Sequence, residues 1–228
     1  MEENISPKVM QLYEAVIRLI EEGTDINSVK VAEITDRAGI GKGTAYEYFN
    51  NKEEMISSAI LYHISCTCRQ FEKKIGELDC FAEIISYALS FMENELGESG
   101  CFIKYVHIFS DNGAVSRLLQ CKMEKNKGKE HTPQDLLERI LQIGIKNGEI
   151  RETAPKTYMI MTLAAKLLVY AVFLNTQGAQ EDCSREEMHR LIYVSLLKEF
   201  NQEIPTEEQE KKEAGKKNDN QTAIMKKP

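Results

Sequence analysis

The residues best suited to chemistry with a large partner lie close together in the chain: Lys42, Gly43, Thr44, Tyr46, Tyr48 and Lys52, with Lys30 a short way upstream. Two phenols, an alcohol and several ammonium groups are donors that match phosphate oxygens and base edges, and tyrosine rings lie well along sugars. Ammonium groups also displace the counterions condensed on a phosphate backbone. Gly43 carries no side chain, so the main chain can come close to a surface there. The combination implies contact with double-stranded DNA. Reading Tyr46, Tyr48 and Phe49 as plain core aromatics would leave the Gly-x-Gly-Thr spacing of Gly41 to Thr44 without a reason.

Other reactive side chains do not assemble into a site. His63 and Cys66 stand three apart, a spacing that can ligate a metal, but no second pair completes the set. The six cysteines (Cys66, Cys68, Cys80, Cys101, Cys121 and Cys183) lack zinc-finger spacing. With no secretory signal at the N-terminus, they are read as reduced thiols of a cytoplasmic protein. A Gly-rich phosphate loop, a Gly-x-Ser-x-Gly elbow and a supported carboxylate pair are all missing, so no catalytic residue, metal or cofactor is assigned. Tyr62, Tyr87, Phe91, Tyr105, Phe109 and Tyr158 could line an aromatic effector cavity, though plain core fits them equally.

The DNA-facing residues need elements to hold them. Val31, Ile34 and Ala38 recur on the inner side of a short helix that Gly39 terminates. A second short helix runs from about Gly41 to Phe49, held inward by Ala45 and Phe49, with Ile40 filling the corner. Two short helices joined by a tight turn form a helix-turn-helix, whose second helix enters the major groove. Lys42, Gly43, Thr44, Tyr46, Glu47 and Tyr48 then point outward. Lys52 begins the next helix, where its ammonium and the free amides of that helix can join the same phosphate track.

Helical periodicity continues along almost the whole chain, and strand alternation is nearly absent, so the fold is expected to be all-α. Ser6-Pro7 opens the first helix, and Asn51 with Glu54 opens a long one reaching about Ile75. Further helices are expected over 81–96, 102–109, 115–125, from Thr132-Pro133 to Asn147-Gly148, and from Pro155 through an apolar run to Leu174. Ser184 and Glu187 cap a last one ending near Phe200, with Met188, Leu191, Ile192, Ser195 and Leu196 on its inner face. The run of 158–174 carries Lys166 near its centre and is short for a membrane span, so it is read as a buried helix. Because it is apolar almost all round, it must bury one face in its own domain and another in a partner. The segment 125–130 reads as an exposed loop, and 204–228 as a disordered charged tail.

The net charge of −7 runs against a nucleic-acid partner. Residues 1–52 carry 6 Lys/Arg against 9 Asp/Glu, so any basic surface must be local. Within 30–52 the balance turns positive: Lys30, Arg37, Lys42 and Lys52 face Glu33, Asp36 and Glu47.

In Val31, Ile34, Ala38-Gly39-Ile40, Gly43-Thr44, Tyr46, Tyr48-Phe49, Lys52 and Met55, the chain resembles the TetR (tetracycline-repressor) family over about residues 6–60. It departs from the family's pattern at Thr35, Gly41 and Ala45, and Lys30 stands where a threonine is usual. The resemblance implies a helix-turn-helix domain over 1–52 and an effector-binding and dimerisation domain over 53–203. It further implies a cytoplasmic homodimer that binds a near-palindromic operator and is released by a small-molecule effector. The same DNA-binding architecture under control of a protein partner, or acting as an activator, is the alternative.

Overall fold

The computed structural model describes residues 5–97, 101–111, 113–126, 131–176 and 182–202; of the loop expected at 125–130, residues 125 and 126 instead end a helix and 127–130 lie outside the described residues, as does the tail expected from 204. Among the described residues there are ten α-helices and no strand. They are α1 (Pro7–Glu21), α2 (Val31–Ala38), α3 (Lys42–Tyr48), α4 (Lys52–Ile75), α5 (Phe81–Phe91), α6 (Cys101–Ser110), α7 (Ala114–Asn126), α8 (Pro133–Lys146), α9 (Lys156–Asn175) and α10 (Arg185–Asn201).

The helix starts follow local chemistry. Pro7 occupies the first position of α1, where its missing N–H costs nothing. Asn51 accepts the Glu54 amide at the head of α4, Thr132 accepts that of Asp135 before α8, and Ser184 accepts that of Glu187 before α10. The Glu54 carboxylate reaches back to both the amide and the side chain of Asn50, which holds it below its ordinary value. α5 has no local side-chain cap; the carboxylate of Glu149, far along the chain, accepts the Phe81 amide at 2.6 Å. Gly144 on α8 sits beneath that junction, where a Cβ would come within 2.8 Å of the Phe81 ring and 3.0 Å of Ile150. No larger residue fits there without a shift in well-packed side chains.

The helix expected over 81–96 instead ends as α-helix at Phe91 and continues as π-helix over Met92–Gly97. In that wider turn the Glu93 carboxylate accepts the hydroxyl proton of Tyr170 on α9, and His189 Nε2 of α10 lies 2.7 Å from the same hydroxyl. Burial, with the nearby carboxylate, pushes the Tyr170 phenol far above its usual range.

The buried apolar residues form two clusters. The first joins α1, Ile34, Ala45, Phe49 and the first half of α4 to Tyr105, Val115 and Leu119 of α6 and α7. The second joins the end of α4 (Phe71, Ile75) to α5, α8, α9 and α10. The core therefore does not part at residue 52, because α4 runs through both clusters, about 36 Å at 1.5 Å per residue.

α9 is long and apolar enough to cross a membrane by length and composition alone. It buries Met159, Leu163, Tyr170 and Ala171 but leaves Met161, Leu168, Val169 and Val172 exposed. Leu191 of α10 is exposed too, at 45%, rather than lying on the inner face with Ile192, Leu196 and Phe200. The two helices thus share an outward apolar surface that periodicity alone assigned in part to the core.

Candidate nucleic-acid interface

α2 ends on Gly39 in the left-handed conformation, φ +67°, where a side chain would be strained. The Gly39 amide donates to Asp36 O and the Ile40 amide to Thr35 O at 2.9 Å, a pair of bonds that closes the turn tightly. Thr35, one of the positions that depart from the resemblance, is buried and donates its hydroxyl to Ala32 O. Gly41 then starts α3 in extended conformation, and Ala45 and Phe49 pin that helix to the core.

The opposite side of α3 is open. Lys42, Gly43, Tyr46, Glu47 and Tyr48 are exposed and Thr44 is half-buried; Tyr46 and Tyr48 show 52% and 41% of their surface. Lys30, at the N-cap of α2, is exposed as well. These expected contact residues therefore all reach the surface of the helix pair, Thr44 in part. Ser6 joins them: its hydroxyl does not cap α1 but lies 3.2 Å from the Tyr48 hydroxyl. The Ser6-Pro7 pattern identified a helix start and gave no sign of that contact.

Lys52 differs from its expected role. Its ammonium is folded inward, donating to Asn27 O at 2.8 Å and Val29 O at 3.0 Å, so it holds the α1–α2 loop. A phosphate would have to compete with both carbonyls. Arg37 is likewise engaged, by Glu22 on α1, which raises the guanidinium and lowers the carboxyl through their hydrogen bond. Of the four local cations, Lys30 and Lys42 make no ion pair among the described residues.

Two further bonds fasten this unit to α6 and the turn after it, and a third ties α7 to α4. Asn27 donates to Asp111 at 2.7 Å, Lys104 donates to Glu21 O at 2.7 Å, and Lys122 donates to Ser58 at 2.6 Å. Burial lowers Lys122 from its ordinary value, while Glu54 opposes that shift.

The six aromatics considered for an effector cavity do not converge. Tyr62 packs on Tyr13, ring centres 5.4 Å apart, beside an open cleft of about 310 Å³ between α1 and α4. Tyr105 meets His63, whose burial lowers its pKa, and Phe109 packs on the first core cluster. Tyr87 and Phe91 surround Phe71 in the second cluster, with ring centres 5.0 and 5.4 Å from it. Tyr158 lies on the surface, 47% exposed, donating to Glu199. They belong to three places because α4 separates the clusters and α9 turns Tyr158 outward. No group of three or more His, Cys, Asp or Glu side chains able to hold a metal occurs among the described residues, and His63 and Cys66 gain no third ligand.

Comparison with known proteins agrees with this geometry. The chain is 25% identical over 154 residues to the fatty acid metabolism regulator protein of Bacillus subtilis (strain 168), covering 64% of this chain and 72% of that one. The structure of the fatty acid degradation regulator FadR from Bacillus halodurans superposes with a TM-score of 0.65 at 19% identity, over 86% of this chain and 97% of that one. FadR from Bacillus subtilis in complex with stearoyl-CoA gives 0.62 at 20% identity, over 86% and 99%. Those two share the fold of this chain. Residues 13–59, which hold α2, the glycine turn and α3, match the family described as bacterial regulatory proteins, tetR family. The similarity to tetR-family regulatory proteins thus lies in the N-terminal helix-turn-helix segment, and beyond it the solved structures share the fold.

Proposed function

We propose that the protein is a repressor that binds a near-palindromic operator as a homodimer and is released by a small-molecule effector. The observation that carries the DNA reading is the outer face of α3, where Lys42, Gly43, Tyr46 and Tyr48 stand exposed on a helix anchored from behind by Ala45 and Phe49. Two such helices, one from each protomer and about one DNA turn apart, would read the two halves of the operator. The exposed apolar residues of α9 and Leu191 of α10 would lie at the dimer face, and pairing both helices with their symmetry mates as a four-helix bundle would bury well above ~1,000 Å². Residues from 53 onward would hold the effector, which acts by preferring a conformer with altered helix spacing.

The similarity to FadR proteins, one of them in complex with stearoyl-CoA, makes a long-chain acyl-CoA the effector to try first. The test is a gel shift on duplex DNA flanking the protein's own gene, at several salt concentrations, with stearoyl-CoA or free coenzyme A added. A specific, salt-sensitive complex that stearoyl-CoA dissolves and free coenzyme A does not is the expected result. A specific complex untouched by the thioester would redirect the search for the effector; no specific complex would overturn the repressor reading itself.

A further inference from the structure

The recognition helix carries a carboxylate as well as its donors. At about 100° per residue, the buried ridge of Ala45 and Phe49 faces one way and Glu47 falls almost diametrically opposite, flanked by Gly43 and Thr44. Glu47 is exposed and makes no hydrogen bond or ion pair among the described residues. With Gly43 one turn before it, no side chain on that neighbour shields the carboxylate. It is therefore the group that a helix seated in the major groove would carry deepest.

Resting on the DNA-binding reading, we propose that Glu47 is a specificity-determining residue that accepts a hydrogen bond from the exocyclic amino group of a cytosine in each half-site. A carboxylate is acceptor-only and is repelled by phosphates, so its favourable partners at that depth are amino groups on base edges. Guanine presents N7 and O6, both acceptors, and thymine presents O4 and a methyl group, so neither can pair with it. Adenine offers an amino group beside the acceptor N7, whereas cytosine contributes only its N4 amino group to the groove. Cytosine is thus the base that satisfies Glu47 with least opposition.

Selection from a randomised duplex library, with the full chain and with Glu47→Ala and Glu47→Gln, tests this directly. The wild type should enrich a motif with cytosine at one position per half-site, preferred by about five- to tenfold over other bases. Glu47→Ala should flatten that one position and leave the rest of the motif intact. Glu47→Gln should shift it toward adenine, whose N6 and N7 a glutamine can engage together. If both variants enrich the wild-type motif unchanged, or if the position lost in Glu47→Ala is not a cytosine, the assignment is overturned. If Glu47 serves only to keep the helix soluble, every position keeps its preference and only expression or solubility changes. A wild type that enriches no motif at all overturns the DNA-binding reading beneath it, which is a different result.

Discussion

Replacing Lys52 with Met keeps the aliphatic stem and removes only the ammonium, so it isolates the two bonds to Asn27 O and Val29 O. A hydrogen bond with one charged partner contributes about 1.5–3 kcal/mol. The Lys52 side chain is 20% exposed and the first carbonyl lies near solvent, so water recovers part of what is lost. The second carbonyl belongs to Val29, which is buried, and it would be left poorly solvated. A net loss of about 2 kcal/mol follows, or roughly 4–8 °C in melting temperature for a chain of this size. Thermal unfolding of the free protein, followed by circular dichroism at 222 nm, measures it without any DNA present. The competing role makes the opposite forecast: an ammonium reserved for phosphate leaves the melting temperature unchanged and flattens the salt dependence of operator binding by about one phosphate per half-site. That second pattern would refute the inward assignment of Lys52.

Met161→Glu or Val169→Glu places a charge on the exposed apolar face of α9 and should convert the proposed dimer to monomer at micromolar concentration in sedimentation velocity, with helix content retained. A variant that sediments as the wild type does would move the interface elsewhere. Burial lowers the His63 pKa below 6.5, so the unfolded chain takes up the proton first and stability falls as the pH drops through that value. The urea midpoint should therefore decline from pH 7.5 to pH 5.5, and His63→Gln should make the decline shallower; an identical pH profile would contradict the cause. Burial pushes the Cys68 thiol up to about 12, whereas Cys121 is exposed. Iodoacetamide at pH 8 should label Cys121 in minutes and Cys68 only after unfolding, with equal rates by peptide mapping counting against it.

Most of the secondary structure was legible because it is written in short-range signals. Asn51, Thr132 and Ser184 all cap the helices their spacing indicated, and Gly39 ends α2 as a left-handed residue must. What could not be read depends on residues far apart in the chain. The Asn27 carbonyl that draws Lys52 inward is 25 positions away from it, and Tyr170 is 77 from Glu93. Helical period gives the angular position of Leu191, which borders an apolar stripe, but not whether that border meets core or solvent. The aromatic set failed as one site for a similar reason. Residue type marks a tyrosine as able to line a cavity, while the packing of α4 through two clusters decides which tyrosines meet.

The charge balance now takes a more specific form than the net value of −7. Arg37 is spent on Glu22 and Lys52 on two carbonyls, which leaves Lys30 and Lys42 facing outward near α3. In the proposed dimer that is about four phosphate neutralisations, far fewer than a protein that clings to DNA through a broad basic surface. Non-specific affinity, which rests almost wholly on such neutralisation, is then low. The surrounding carboxylates, Glu33, Asp36 and Glu47 among them, lower it further wherever no base donor compensates them. On the proposed reading, binding draws instead on the hydroxyls of Thr44, Tyr46 and Tyr48 and on base edges, both of which require the helix to sit in one register. An acidic regulator of the proposed kind would give up affinity for arbitrary DNA and gain discrimination between its operator and the rest of the genome, which is the ratio that matters for control.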